Sequence, residues 1–325
     1  MKAARLYYEN GLNQEEIGDR LGLSRQKVQR ILKEAHDQAI VQITVKPIIG
    51  VFSDLERGLE ERFGLAEAIV VETTTSANHE SQATIAREVG AGAAEYLIRV
   101  IRPHDKIAIS VGNALLGMVN AMPHSPRLDA GDLKVIQGLG GLGDPTHDIH
   151  ATHLVTRLAH ALTAEAVLLG APAVAGTQEA RDLFLRDPHV TRTLDMARSA
   201  DMMFVGIGPS RSDSVVVQDF WKVMDASTVD ELHARGAVGS SNLRHFDANG
   251  KAFPSELDER IIGLTLDEMK RIRRVVGIAG GSTKHEAILA ALRGKLVNVL
   301  VTDHLTAQYL LKSRSQGIER LQSSE

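Results

Sequence analysis

The chain has 325 residues, 43% hydrophobic and 24% charged, with a formal net charge of −4 and no cysteine. That length suits a small domain plus one with a large core, and the balance excludes extensive disorder and a generally basic nucleic-acid coat. Disulfides, thiolate catalysis and cysteine-ligated zinc are excluded too. No apolar run approaches the roughly 20 residues of a membrane helix, and the first residues lack the order of a secretory signal, so a cytoplasmic location is expected.

In chain order, Ala3, Ala4, Tyr7 and Tyr8 give an apolar stripe for a first helix. Gly11 to Lys33 then reads as two short helices meeting at a tight turn. Asn13 with Glu16 forms a reciprocal N-terminal cap, Ile17 and Leu21 share a face, Gly22 supplies the bend, and Ser24 caps the next helix. Val28, Ile31 and Leu32 bury that second helix at helical spacing. Its other face carries Arg25, Gln26, Lys27, Gln29, Arg30 and Lys33, with no acid between residues 24 and 33. This is the pattern of a recognition helix for a DNA major groove: Arg and Lys neutralise phosphates, while Ser24, Arg25 and Gln26 near its start reach base edges. The bland reading is a solvated face on a helical hairpin. Residues 1–46 carry eight Lys or Arg against six acids, +2, leaving −6 for the rest of the −4 chain, so the basic excess lies with this helix.

Ile40 to Lys46 alternates as a short strand stopped by Pro47, and a boundary near Gly50 divides residues 1–50 from 51–325. Phe52, Leu55, Leu59 and Phe63 spell an amphipathic helix that packs on the second domain or on a copy of itself. From Glu67 onward short β-branched runs, glycine loops and amphipathic helices recur: Lys106 to Ser110 into a helix at Asn113, Leu133 to Gln137 into a helix near Ile149, Arg274 to Ile278 into Lys284 to Leu292, and Leu296 to Thr302 into Asp303 to Leu311. Glu165 to Gly170 and Met202 to Gly206 read as buried strands. The second domain is therefore α/β, a mainly parallel doubly wound sheet, whose ligands belong at the strand ends that carry the glycines.

Several loops could hold chemistry. Ala279 to Lys284 sets backbone donors and a cation at a helix start, suited to phosphate; alternatively Thr283 and Glu286 form a capping box beside a solvated Lys284. Gly138, Gly140 and Gly143 match the dinucleotide fingerprint literally, but Pro145 and the lack of a distal acid argue against it, so no cofactor is expected. His147, Asp148, His150 and His153 are crowded enough for a metal, yet no second cluster follows and no metal is expected. Phe220 and Trp221 are better as core than as a ligand face. No serine-hydrolase elbow appears, since Gly206 to Gly208 encloses Ile207.

The helix-turn-helix ARLYYENGLNQEEIGDRLGLSRQKVQRILKEA, followed in order by KIAISVGNALL, KVIQGLGGLG, LLGAPA, FVGIG, GAVGS, FDANG, VVGIAGGSTKHEAILAALRG and VLVTDHLTAQYLL, resembles the SorC-type sugar-binding transcriptional regulators over nearly the whole chain. The resemblance implies a DNA-binding head joined to an effector domain similar to phosphosugar isomerases, assembled as a homotetramer and controlled by a sugar, polyol or sugar phosphate. By motif match the effector pocket would use Gly112, Asn113, Gly138, Gly140, Gly141, Gly208, Asp247, Gly280, Gly281 and Lys284. The chain departs from the family pattern at Val111, where tryptophan is common, at Ser240, where aspartate is, and at His304, where an acid is frequent. The expected function is a regulator that binds double-stranded operator DNA and is not an enzyme. The rival is an isomerase-like enzyme with a DNA-binding head, using Asp247 and Lys284 as its reactive pair. A constitutive DNA-binding protein would leave the large domain without a role.

Overall fold

Caps and a small apolar core make the first unit. The computed structural model describes residues 2–8, 10–37, 52–74, 81–123, 132–142, 150–210, 232 and 234–313. The expected strand at residues 40–46, Pro47, Gly50, Gly143, Pro145, His147, Asp148, Ile149, Phe220 and Trp221 lie outside these. The chain divides into two compact units, Met1–Ile49 and Gly50–Glu325. In the first, α1 (Lys2–Tyr8), α2 (Gln14–Leu21) and α3 (Arg25–Asp37) bury Ala3, Ala4, Leu6, Ile17, Val28, Leu32 and Ala35 together. Asn13 Oδ1 accepts from the Glu15 and Glu16 N–H groups at 3.0 Å, and Glu16 accepts from Asn13 N–H at 2.8 Å, the reciprocal cap read from the sequence. Gly22 ends α2 at φ +64°. A Cβ at Gly18 would lie 2.6 Å from the Leu23 carbonyl, so the turn closes only over a bare backbone. Tyr7 and Tyr8 depart from the expected stripe: both are exposed and meet each other edge to face, while Leu6 turns inward with the two alanines.

In the second unit, α4 (Ser53–Phe63) precedes β1 (Glu67–Val71), α5 (Gln82–Val100), β2 (Lys106–Ile109), α6 (Asn113–Ala121), β3 (Lys134–Gln137), α7 (Ala151–Leu162) and β4 (Glu165–Val167). The chain continues through α8 (Gln178–Arg186), α9 (Pro188–Arg198), β5 (Met202–Gly206), β6 (Gly208–Pro209), β7 (Gly239–Ser241), β8 (Arg244–Phe246), α10 (Leu266–Lys270), β9 (Arg274–Ile278), α11 (His285–Arg293), β10 (Val299–Asp303) and α12 (His304–Lys312). Seven strands pair in parallel in the order β1-β10-β9-β5-β2-β3-β4, and β6, β7 and β8 form a small antiparallel sheet. Apolar clusters pack on the main sheet's helices: one holds Leu59, Val205, Ile288 and Leu310, the other Val89, Leu115, Leu158 and Phe204. Every β10 residue is buried, which explains the apolar run Val299 to Val301.

The two sheet edges differ. β4, expected to be buried, has Glu165 and Ala166 exposed, because its apolar run closes the sheet instead of crossing its middle. At β1, Glu56 and Glu60 of α4 accept the N–H groups of Val70 and Ala68 at 3.0 and 2.9 Å, which covers an otherwise unpaired edge. The amphipathic helix predicted around Leu59 therefore packs on its own domain, where Gly58 also admits Leu311. Elsewhere α5 and α6 cross through glycines: a Cβ at Gly90 would lie 2.5 Å from Met118 N, and one at Gly117 2.6 Å from the Ala86 carbonyl. That crossing fixes where α6 begins.

Candidate functional site

Strand order locates the site. From β2 the chain steps outward through β3 to β4, then returns with β5 on the other side of β2. Crossover connections thus depart in opposite directions from these neighbours, leaving a crevice beyond their carboxyl ends, the general ligand position in open α/β sheets. A pocket lies there. It is lined by Ser110, Val111, Gly112, Asn113 and Ala114 after β2, by Gly206, Ile207, Gly208 and Pro209 after β5, by Ser240 to Leu243 of the β7–β8 hairpin, and by Ile278 and Lys284. This half-open pocket has a volume of about 110 Å³, less than the roughly 150 Å³ cavity that takes benzene, so a sugar-sized ligand would extend into the mouth.

Four expected effector residues, Gly112, Asn113, Gly208 and Lys284, meet in this lining. Gly112 precedes α6 at φ +151°, and no described side chain caps the first N–H groups of that helix. Lys284 is the one charged residue among the described lining. Its ammonium takes no hydrogen bond or ion pair from the described residues, and loss of solvent pulls its pKa below the ordinary lysine value.

The other expected residues lie outside the lining. Gly138 to Gly141 is held by backbone bonds: Gly138 N–H donates to Ile109, Gly140 N–H to Ile262 and Gly141 N–H to Ala171. A Cβ at Gly140 would lie 2.3 Å from the Pro172 carbonyl, so this glycine serves close packing of loops. Gly281 N–H donates to the Asp303 carboxylate and Thr306 hydroxyl, both at 2.9 Å, and a Cβ at Gly280 would strike that carboxylate at 2.3 Å. Buried Asp303 thus shapes this loop, of whose expected residues Lys284 alone lines the pocket. The Thr283–Glu286 capping box is not formed: α11 has no side-chain cap, and Glu286 accepts from the Tyr309 hydroxyl. Asp247 Oδ1 accepts from Asn249 and Lys251 N–H groups at 2.9 Å, closing its own turn. His150 accepts from Thr152 N–H and meets the His153 ring edge on; no metal-holding cluster occurs among the described residues.

Sequence reading missed Ser110, Ser241, Asn242 and Leu243. Ser110 Oγ donates to Asn242 Oδ1 at 2.7 Å, and the Asn242 amide donates to the Leu264 carbonyl at 2.9 Å and that of Gly138 at 3.4 Å. Gly138 therefore touches the site through Asn242. Arg244, buried behind the hairpin, pairs with Asp258 at 2.8 Å and donates to the Ile261 and Gly263 carbonyls. Val111 and Ser240, two of the departures from the family pattern, line the pocket.

In the first unit, Ser24, Arg25, Gln26, Lys27, Gln29, Arg30 and Lys33 are all exposed while Val28 and Leu32 are buried. Ser24 Oγ accepts from Lys27 N–H at 3.3 Å, so α3 starts as read. None of these four cations pairs with an acid among the described residues, which leaves them available to phosphates.

Comparison with known proteins agrees with both units. Residues 48–312 match the family described as “Putative sugar-binding domain”, and residues 5–38 match “Sigma-70, region 4”. The sorbitol operon regulator of Klebsiella pneumoniae is 30% identical over 96% of this chain and 97% of its own. The chain belongs to the SorC family of sugar-binding transcriptional regulators. This SorC-type chain is also 29% identical to the deoxyribonucleoside regulator of Bacillus subtilis (strain 168), over 96% of each. The crystal structure of the full-length Klebsiella sorbitol operon regulator superposes with a TM-score of 0.72 at 29% identity, covering 96% of this SorC-type chain and 97% of that one. It is a ligand-responsive regulator of sugar metabolism with a helix-turn-helix DNA-binding region. Among the described residues no helix is long and apolar enough to cross a membrane.

Proposed function

We propose that this regulator senses a sugar phosphate in the crevice between β2 and β5, and that the bound anion changes its affinity for double-stranded operator DNA. The ammonium of Lys284, without a partner among the described residues and facing a lining with no other described charge, carries this reading. A phosphate would give that ammonium a partner and would also meet the start of α6, which no described side chain caps. Operator contact falls to α3: Ser24, Arg25 and Gln26 reach base edges, while Lys27, Gln29, Arg30 and Lys33 position the helix on phosphates. Residues 1–50 act as the DNA-binding domain and 51–325 as the effector and assembly domain. A homotetramer, a dimer of dimers, would present paired recognition helices to half-sites about one helical turn or a multiple apart.

Sensing rather than turnover is supported by the lining, where the described residues include no Asp, Glu or His to exchange a proton beside Lys284. Asp247, the carboxylate an isomerase reading requires, closes a turn instead. A thermal-shift screen of full-length protein against free sugars, polyols and sugar phosphates tests the proposal, because a ligand that binds only the folded state raises Tm. Phosphorylated compounds are expected to raise it and Lys284→Met to remove the shift. Equal shifts from free sugars in both proteins would overturn the anionic reading.

A further inference from the structure

The pocket's polar side chains are mostly committed to the protein. Ser110 donates to Asn242, the Asn242 amide donates to two backbone carbonyls, and Ser241 donates to the Gly206 carbonyl at 2.9 Å. Lys284, Asn113 and Ser240 are the lining side chains whose polar groups take no partner among the described residues. Such a site can satisfy an anionic end and a small number of hydroxyls. Every further hydroxyl pressed against the lining would lose its water without a replacement.

The lining also has apolar members, among them Val111, Ile207, Leu243 and Ile278, and one of them is held at a conformational cost. Asn242 and Leu243 form the two-residue turn between β7 and β8, with φ of +52° and +62°. Turns of this kind favour Asn followed by Gly; Asn tolerates the left-handed region, whereas Leu does not. Leu243 nevertheless occupies it. Its side chain and that of Val111 pack against the buried group of Leu139, Ala173 and Leu257, and both residues line the pocket. Strain kept at a binding wall points from the outlier to a role there.

We propose that Leu243 is a specificity-determining residue: with Val111 it forms an apolar wall that takes a carbon-rich face of a phosphorylated ligand and disfavours ligands hydroxylated on that face. This rests on the anionic-effector reading and narrows the ligand to a sugar phosphate lacking at least one ring hydroxyl. A site built around apolar contact at one position discriminates there by about tenfold or more.

The test titrates full-length protein with ribose 5-phosphate and glucose 6-phosphate, each alongside its 2-deoxy and 3-deoxy analogues. Wild type is expected to bind at least one deoxy analogue about tenfold more tightly than its parent. Leu243→Gly and Leu243→Asn both suit the turn, which offsets part of the apolar packing each loses, so each is expected to stay folded, as a cooperative melt checks. Leu243→Gly removes the wall and should bring the ratio near one; Leu243→Asn offers an amide and should reverse it. Lys284→Met, run beside them, separates the two readings. If Lys284→Met abolishes binding while both Leu243 variants keep the wild-type ratio, Leu243 serves only the turn and this inference falls alone. If no probe binds wild type, or all bind Lys284→Met equally well, the anionic-effector reading falls and this inference with it.

Discussion

Lys284 and the arginines of α3 make opposite uses of a positive charge. On α3 the charge is exposed, and on the proposed assignment it meets DNA phosphate, so Arg25→Ala or Arg30→Ala should leave the melting temperature unchanged and weaken DNA binding about tenfold, with a shallower salt dependence. Fluorescence anisotropy on a duplex selected from a random pool measures both effects; unchanged binding by the two variants would remove the recognition-helix assignment. At Lys284 the charge is desolvated, and its folded pKa lies below the ordinary lysine value of 10.5. Between the lowered value and 10.5 the unfolded chain holds a proton that the folded chain lacks, so unliganded stability rises with pH across that window. Lys284→Met should lose this rise. An anion beside the amine favours its charged form, so binding within the window takes up a proton and weakens as pH climbs. Calorimetry in buffers of different ionisation enthalpy reads the uptake directly. Lys284 was legible as a cation after a glycine loop, whereas Asn242 was not, because its role comes from a hydrogen bond to Ser110, 132 residues away in sequence.

At the scale of elements, the start of α6 is placed by a crossing that sequence periodicity does not reveal. Glycine inside a helix ordinarily costs about 1 kcal/mol against alanine, but Gly90 and Gly117 sit where backbone meets backbone. Gly90→Ala would therefore push α6 away from α5, carrying Asn113 out of the pocket lining. Overpacking of this kind costs about 1–3 kcal/mol. The expected outcome is a lower Tm together with weaker sugar-phosphate binding; stability lost with binding intact would show that α6 does not position the ligand. The strand-loop-helix units themselves were readable, since each has its signal within some 20 residues. The loops at Gly138 to Gly141 and Gly280 read in the sequence as candidate anion cradles, and what fills them was not legible: Pro172 meets Gly140 and Asp303 meets Gly280, both from elsewhere in the chain.

For the whole molecule, the strand order converts a list of glycine loops into one crevice, since only the return of β5 beside β2 brings Gly112, Gly208 and the β7–β8 hairpin together. The parallel class of the sheet was evident from the alternation of elements, and the exposed β4 edge was not, because a short apolar strand reads alike at the centre and at the rim. Sensing and DNA binding then become one linked equilibrium. A ligand shifts it only through different affinity for the DNA-binding and non-binding states, and the effect is reciprocal. The most direct measurement is the Kd of full-length protein for its selected duplex, with and without a saturating sugar phosphate that raises Tm, in wild type and Lys284→Met. The expected result is a change of about 5-fold to 150-fold in wild type and none in the variant, whose unliganded Kd stays at the wild-type value. An identical Kd with and without saturating ligand in wild type would contradict the account.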